Sequence, residues 1–271
     1  MTTPDNTSGP AIGVAESSLL DGRVRLLQPR HGYRAGMDAA LLAAAVAAKP
    51  AQRVLEAGCG VGAVLMQVAS RRPEVELTGI ERDEAAADLA RQNAALNGVA
   101  DCTTIITGDV SQAFGEGITS AGSPPLSPLM GQLTNQTFDW AISNPPYFDN
   151  PGELRLPSPE KRGAWLADDG LAAWCNALTR AVRDGGSILM IHRADRLADL
   201  LSLLGAKSGS FVIRPIQPFS EAPAKRVIVK AIRSGRAPLR LLPPLVLHDR
   251  SGSKHTPEAE AILRGSAALD M

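Results

Sequence analysis

The stretch Arg53-Val54-Leu55-Glu56-Ala57-Gly58-Cys59-Gly60-Val61-Gly62 decides the fold of this 271-residue chain. A short apolar run enters three glycines at alternate positions, the pattern of a strand that turns sharply into a helix. Glycines at such a turn let the backbone bend tightly and let a ligand approach with no Cβ in the way. The helix that follows is predicted to run to about Arg72, where Pro73 breaks it.

Outward from the loop the rhythm repeats. Val75 to Ile80 reads as a second strand ending at Glu81, 19 residues after Gly62. Asp83 to Asn97 reads as a helix ended by Gly98. Thr103 to Thr107 and Phe138 to Ser143 are the third and fourth strands. A helix over Leu171 to Val182 leads to a fifth strand, Ser187 to Ile191, and Arg193 to Leu204 is helical again. Phe211 to Ile216 and Arg226 to Ile232 form a closing strand pair. Upstream, Gly22 to Pro29 reads as a short strand, and Asp38 is placed to cap a helix that continues through Ala48 to the stop at Pro50. The expected class is α/β: a mainly parallel Rossmann-like sheet with helices on both faces and an antiparallel strand at its edge.

Composition is that of a globular protein, with 44% apolar residues, 21% charged and a formal net charge of zero. Arg, Asp or Lys interrupts every long apolar stretch, so no membrane span is expected. Residues 1–17 carry no basic start followed by an apolar block; they read as a loose tail and not as a secretory signal. Cys59, Cys102 and Cys175 are odd in number and widely spaced, which argues against a disulfide framework or a zinc site and fits the cytoplasm. No metal is expected, because no His, including His192, shows ligand spacing. Residues 115–137, rich in Ser-Pro and Gly, read as a mobile insertion, and Asp149 to Gly163 as a substrate lid. Trp165 and Trp174 read as core residues rather than base-stacking ones.

Neutrality hides an asymmetry. Residues 1–150 hold 10 basic and 16 acidic side chains, and residues 151–271 hold 18 and 12. Between Ala222 and Lys254 stand eight basic residues and one acid. Lys225, Arg226, Lys230 and Arg233 are the candidate contacts to a nucleic-acid backbone, the alternative being a solvated face.

The ligand of the glycine loop follows from its neighbours. The spacing is GxGxG, not the GxGxxG of dinucleotide sites, and there is no GxxxxGK[ST] for a nucleoside triphosphate. Glu56 would repel a pyrophosphate but suits a cationic amino group. Glu81 is placed to accept from both hydroxyls of a ribose. A ribose with an ammonium and no phosphate describes S-adenosylmethionine. Asp109 can accept from the adenine amine or can cap a helix.

Asn144-Pro145-Pro146-Tyr147 follows the fourth strand. The prolines fix an extended backbone and hold Asn144 away from helical angles. That presents two acceptors, the Asn144 side-chain carbonyl and the Pro145 main-chain carbonyl, to a planar NH2 group. Pro146 stiffens the corner and Tyr147 offers a flat face for stacking. This set is the candidate catalytic group, acting by positioning and electrostatics on a neutral amine.

These motifs resemble the Rossmann-like, S-adenosylmethionine-dependent N-methyltransferases carrying (N/D)PP(Y/F), and most closely the bacterial tRNA (adenine-N6)-methyltransferases that act on a valine tRNA. The resemblance covers roughly Val24 to Gly265. Its more specific parts are Gln28 to Leu42, similar to a basic-x-G-x-D-xx-LL entry, and Leu245-Val246-Leu247-His248. It implies a seven-stranded methyltransferase sheet over 51–271. It also implies that residues 18–50 cover the cofactor, and that N6 of an adenine in the anticodon loop, just 3′ of the anticodon, is the target. The candidate cofactor-binding set is then Arg34, Gly36, Asp38, Glu56, Gly58, Cys59, Gly60, Gly62, Glu81, Arg82, Asp109, Val110 and Asn144. Such an adenine must leave its stack, which a single-stranded loop makes cheaper. Rivals are a glutamine amide in a release factor, a small-molecule amine, and a non-catalytic binding module; a dehydrogenase is a weaker one.

Overall fold

The computed structural model describes residues 13–30, 36–114, 133–147, 170–250 and 253–271. Strand β1 (Val14–Leu19) pairs antiparallel with β2 (Val24–Pro29) in a separate two-stranded ribbon. Helix α1 (Met37–Ala45) follows. The main sheet then begins with β3 (Arg53–Ala57), α2 (Ala63–Arg71), β4 (Glu76–Glu81), α3 (Glu84–Leu96) and β5 (Thr103–Thr107). It continues through β6 (Phe138–Ser143), α4 (Gly170–Ala181), β7 (Val182–Arg193), α5 (Leu197–Gly205), β8 (Ser208–Gln217) and β9 (Arg226–Arg233). Two-residue strands β10 (Arg240–Leu241) and β11 (Leu245–Val246) precede helix α6 (Pro257–Arg264).

From one edge the order is β5-β4-β3-β6-β7-β9-β8, with β10 and β11 both beside β8. The chain reverses direction across the sheet at β3, between β4 and β6, and such a switch point opens a crevice beyond the carboxyl ends of the strands. Register aligns those ends. Ala57 pairs with Ile80 on one side and Ser143 on the other, and Ser143 pairs with Met190. Two apolar layers sandwich the sheet. One gathers Leu41, Leu42, Leu65 and Leu77 beneath α1, α2 and α3; the other gathers Leu55, Phe138, Leu178 and Ile188 beneath α4 and α5. Helices therefore cover both faces, as the alternating pattern requires.

Four expectations are corrected. The antiparallel strand is not at the edge: β9 lies between β7 and β8 and runs antiparallel to both. Its Val227-Ile228-Val229 run is fully buried and suits an inner strand, whereas β8 carries Pro215, which lacks an amide hydrogen. The seven long strands are present, but β10 and β11 extend the sheet to nine.

The tail expected over residues 1–17 stops short of that length, because Val14–Leu19 is a strand. Its partner β2 is itself docked by two asparagines four residues apart, Asn93 on α3 and Asn97 at its C-cap. Asn93 takes the Leu27 N–H at 2.7 Å and gives to the Leu27 carbonyl at 2.9 Å; Asn97 does the same for Arg25 at 2.9 and 2.7 Å. Side-chain amides here complete a backbone ladder, a role that no local pattern in residues 13–30 announces.

Asp38 is not a helix cap. The N-cap of α1 is Gly36, with no side-chain cap bond, and the Asp38 carboxylate turns to other partners. The proposed insertion lies outside the described residues from 115 to 132, and the proposed lid, Arg34, His31 and Trp165 lie outside them entirely. Among the described residues no helix is long and apolar enough to cross a membrane.

Candidate active site

The glycine loop leaves β3 at the crevice. Gly58 and Gly60 hold φ of +68° and +53°, values that L side chains rarely adopt. Cys59 donates its N–H to the Ile80 carbonyl at 3.0 Å, which ties the loop to β4. Its side chain is buried above Gly79, where a Cβ would stand 2.6 Å from the Cys59 sulfur. Burial pushes the Cys59 thiol well up, so it acts as a packing residue. Gly62 begins α2 and sits against Ala90, with 3.3 Å from its would-be Cβ to the Ala90 Cβ. Around Gly60, by contrast, a Cβ would meet no atom of the described residues within 4 Å.

Two carboxylates face this loop. Glu81, at the end of β4, accepts from the Gly60 N–H at 2.8 Å and from the Asp83 N–H at 2.9 Å through its two oxygens. Burial raises its pKa, and those backbone donors pull the other way. Glu56 is 2% exposed and accepts from the Leu65 N–H in the first turn of α2. Its Oε2 is buried with no hydrogen-bond partner among the described residues. Burial, then the charge of Glu81, pushes its pKa well above the ordinary carboxylate range. An unpartnered, buried carboxylate oxygen carries a desolvation cost that a cationic donor would relieve.

On the neighbouring strand end, Ser143 donates to the Ala57 carbonyl at 2.9 Å and locks β6 to β3 where the loop departs. Asn144 is partly exposed one residue beyond, with Pro145 buried behind it. The Tyr147 hydroxyl lies between Asn144 Oδ1, at 3.0 Å, and Asp38 Oδ2. The Arg226 Nε donates to the same Asp38 oxygen at 3.2 Å, and its guanidinium lies 4.4 Å from the centre of the Tyr147 ring. His192, at the end of β7, meets that ring edge-on at 5.3 Å. The expectation that Tyr147 is simply a stacking face is modified: one face carries Arg226 and the hydroxyl is engaged.

The remaining predicted residues divide. Asp109 caps a short 3-10 turn, accepting from the Ser111 N–H and hydroxyl at 2.8 and 2.7 Å. Val110 is buried in the apolar layer beneath α4, and Arg82 is exposed next to Glu81.

The four basic residues do not form one face. Arg226 belongs to the Asp38–Tyr147 cluster. Lys230 is half-buried, 5.3 Å from the centre of the Trp140 ring. Arg233, near the opposite end of the strands, donates to the Thr179 carbonyl and pairs with Asp184, and its side chain is only 12% exposed. Strand pleating and end-to-end separation split a run that is continuous in sequence. Lys225 remains exposed beside Arg226.

Sequence reasoning passed over His192 as a quiet residue and Trp174 as core. The signal for His192 was its place at the end of the fifth strand, two residues past the Ser143 partner Met190. Trp174 gave none, because its contact is with Gly58, far away in sequence.

Residues 34–120 match the model of the methyltransferase small domain. A tRNA1(Val) (adenine(37)-N6)-methyltransferase of Porphyromonas gingivalis is 31% identical over 174 residues, which is 62% of this chain and 61% of that protein. A release factor glutamine methyltransferase of Rhodopirellula baltica is 28% identical over 60% of this chain and 51% of its own length. The matched stretches thus span between half and two thirds of these relatives. Among solved structures, a predicted O-methyltransferase of Agrobacterium tumefaciens superposes with a TM-score of 0.67 at 27% identity, covering 86% of this chain and 99% of that one. The chain therefore carries the methyltransferase small domain pattern over residues 34–120, set in the Rossmann-like sheet of the methyltransferase fold.

Proposed function

We propose that this protein is an S-adenosylmethionine-dependent N-methyltransferase, and that its substrate is the N6 amine of an adenine in the anticodon loop of a tRNA, at position 37. One observation carries the reading: Glu56, with its unpartnered oxygen, and Asn144 stand at the ends of the adjacent strands β3 and β6, on either side of the switch point. The residues fit the cofactor. Glu56 would take the ammonium, the open backbone around Gly60 would admit the ligand without steric conflict, and the Glu81 carboxylate would accept from ribose hydroxyls. When bound, S-adenosylmethionine supplies a methyl group on a positively charged sulfur.

The chain's own part is to bring a nitrogen to that methyl group. The Asn144 side-chain carbonyl and the Pro145 main-chain carbonyl can accept both hydrogens of a planar NH2, holding the nitrogen and turning its lone pair outward. Fixed dipoles that need no reorganisation during transfer account for the acceleration. The tRNA relative supports adenine as the target, and Lys225 beside Arg226 offers positive charge at the same end of the sheet for the RNA backbone.

The test is incubation with methyl-labelled S-adenosylmethionine and bulk tRNA, followed by digestion to nucleosides. Label in N6-methyladenosine is the expected result. Label found only in added release factor would replace adenine with a glutamine amide, the other planar NH2 group that this corner suits.

A further inference from the structure

The Tyr147 hydroxyl stands between two oxygens, Asp38 Oδ2 and Asn144 Oδ1, yet it owns one hydrogen. Two oxygens 3.0 Å apart with no hydrogen between them repel. The amide oxygen and nitrogen of asparagine are nearly isosteric, so turning the Asn144 amide by a half-rotation restores the balance without moving any other atom.

We infer that Asp38, acting through the Tyr147 hydroxyl, dictates which way the Asn144 amide points. Tyr147 gives its hydrogen to Asp38 and accepts one from the Asn144 NH2. The Asn144 carbonyl oxygen is thereby turned to the substrate nitrogen.

Four features support this allocation. The Asp38 carboxylate is ion-paired with Arg226, and a carboxylate is a stronger acceptor than a neutral amide. Burial and the charge of Asp38 push the Tyr147 phenol far above its ordinary value, so it keeps its hydrogen and remains a donor. The Arg226 guanidinium against the ring and His192 at its edge hold the phenol in place. No hydrogen bond from another described residue competes for the Asn144 amide. Asp38 and Tyr147 are then positioning residues. An asparagine free to turn would offer NH2 to NH2 half of the time, donor against donor. This inference gives a role to an aspartate near the start of α1, 109 residues from Tyr147 in sequence. It rests on the N-methyltransferase reading for its functional consequence, but the amide orientation itself does not.

Two measurements test it. With asparagine labelled by 15N, one side-chain NH2 hydrogen of Asn144 should show a nuclear Overhauser contact to the Tyr147 ring and slowed solvent exchange. Both signatures should vanish in Tyr147→Phe. Two Asn144 hydrogens remote from that ring and exchanging equally would overturn the inference, whatever the substrate proves to be. In turnover of tRNA with S-adenosylmethionine, Tyr147→Phe and Asp38→Asn should each lower kcat by about tenfold or more, the value of one hydrogen bond in the transition state, and in Tyr147→Phe the KM for the cofactor should stay unchanged. In the Asn144→Asp background both side-chain oxygens accept, so Tyr147→Phe should cost no more than about twofold. An equal loss in both backgrounds overturns the proposal. If wild-type protein fails to methylate tRNA, the functional reading falls and the NMR result still decides the orientation.

Discussion

The indole of Trp174 lies against Gly58: a Cβ built on Gly58 would stand 2.5 Å from the ring's Cη2. Helix α4 thus closes over the glycine turn from below, and the loop has no slack on that side. Gly58→Ala meets two costs, a left-handed backbone angle and overpacking against the ring. The expected loss is about 2–4 kcal/mol, read as a lower Tm in thermal denaturation. Trp174→Leu in the same chain should recover the packing part and leave the backbone part. Unchanged melting of Gly58→Ala would show that the ring does not sit there.

Glu56 makes a pH prediction whose sign follows from its burial. Its folded-state pKa lies above its unfolded one, so the folded chain binds a proton that the unfolded chain releases. Stability therefore declines as pH rises from the ordinary carboxylate value through the raised one. Glu81 contributes a slope of the same sign. Glu56→Gln should flatten this decline and stabilise the ligand-free protein at neutral pH. The same change should weaken S-adenosylmethionine by about tenfold or more in calorimetry, since a charged hydrogen bond is lost. A variant that binds the cofactor normally would remove Glu56 from the site.

Asn144→Ala separates catalysis from cofactor binding. It deletes the side-chain acceptor while leaving the loop, Glu56 and Glu81 untouched. Methyl transfer should drop by about a hundredfold or more, with the S-adenosylmethionine Kd within about twofold of wild type. Loss of both together would mean that Asn144 supports the pocket rather than the transferred group.

The basic residues of β9 should behave differently from one another. Arg233→Gln removes contacts to the Thr179 carbonyl and Asp184 at the far end of the sheet, so the Tm should fall while tRNA affinity and its salt slope stay the same. Lys225→Gln should leave the Tm alone and reduce the slope of log affinity against log salt by about one if it meets a phosphate. Filter binding across a salt series, paired with thermal melts, distinguishes the two.

Local chemistry made much of the sheet readable. Third and fourth strands come out with the same limits, Thr103–Thr107 and Phe138–Ser143, because turn residues and prolines bound each apolar run. The glycine loop, Glu81 and the Asn-Pro-Pro corner also come out at the ends of their strands, since each is adjacent in sequence to the strand that carries it. Strand β9 shows the opposite case. Its existence is written in Val227-Ile228-Val229, but its seat between β7 and β8 depends on which neighbour can donate and accept along both edges. Strand β2 shows it again, because its docking is completed by Asn93 and Asn97, which stand 66 and 72 residues from the backbone groups they bond.

Sequence alone determined that this chain alternates strands with helices, bends through glycines after Ala57 and presents a rigid Asn-Pro-Pro corner after Ser143. Those properties reside in backbone torsions and in the periodicity of neighbouring side chains. Tertiary structure alone decided that Asp38 leaves the helix cap for Tyr147, that Arg226 closes that cluster while Arg233 is spent elsewhere, and that Trp174 seals Gly58. A side chain's partner is set by which distant groups burial brings within hydrogen-bonding or van der Waals range, and no local pattern encodes that distance.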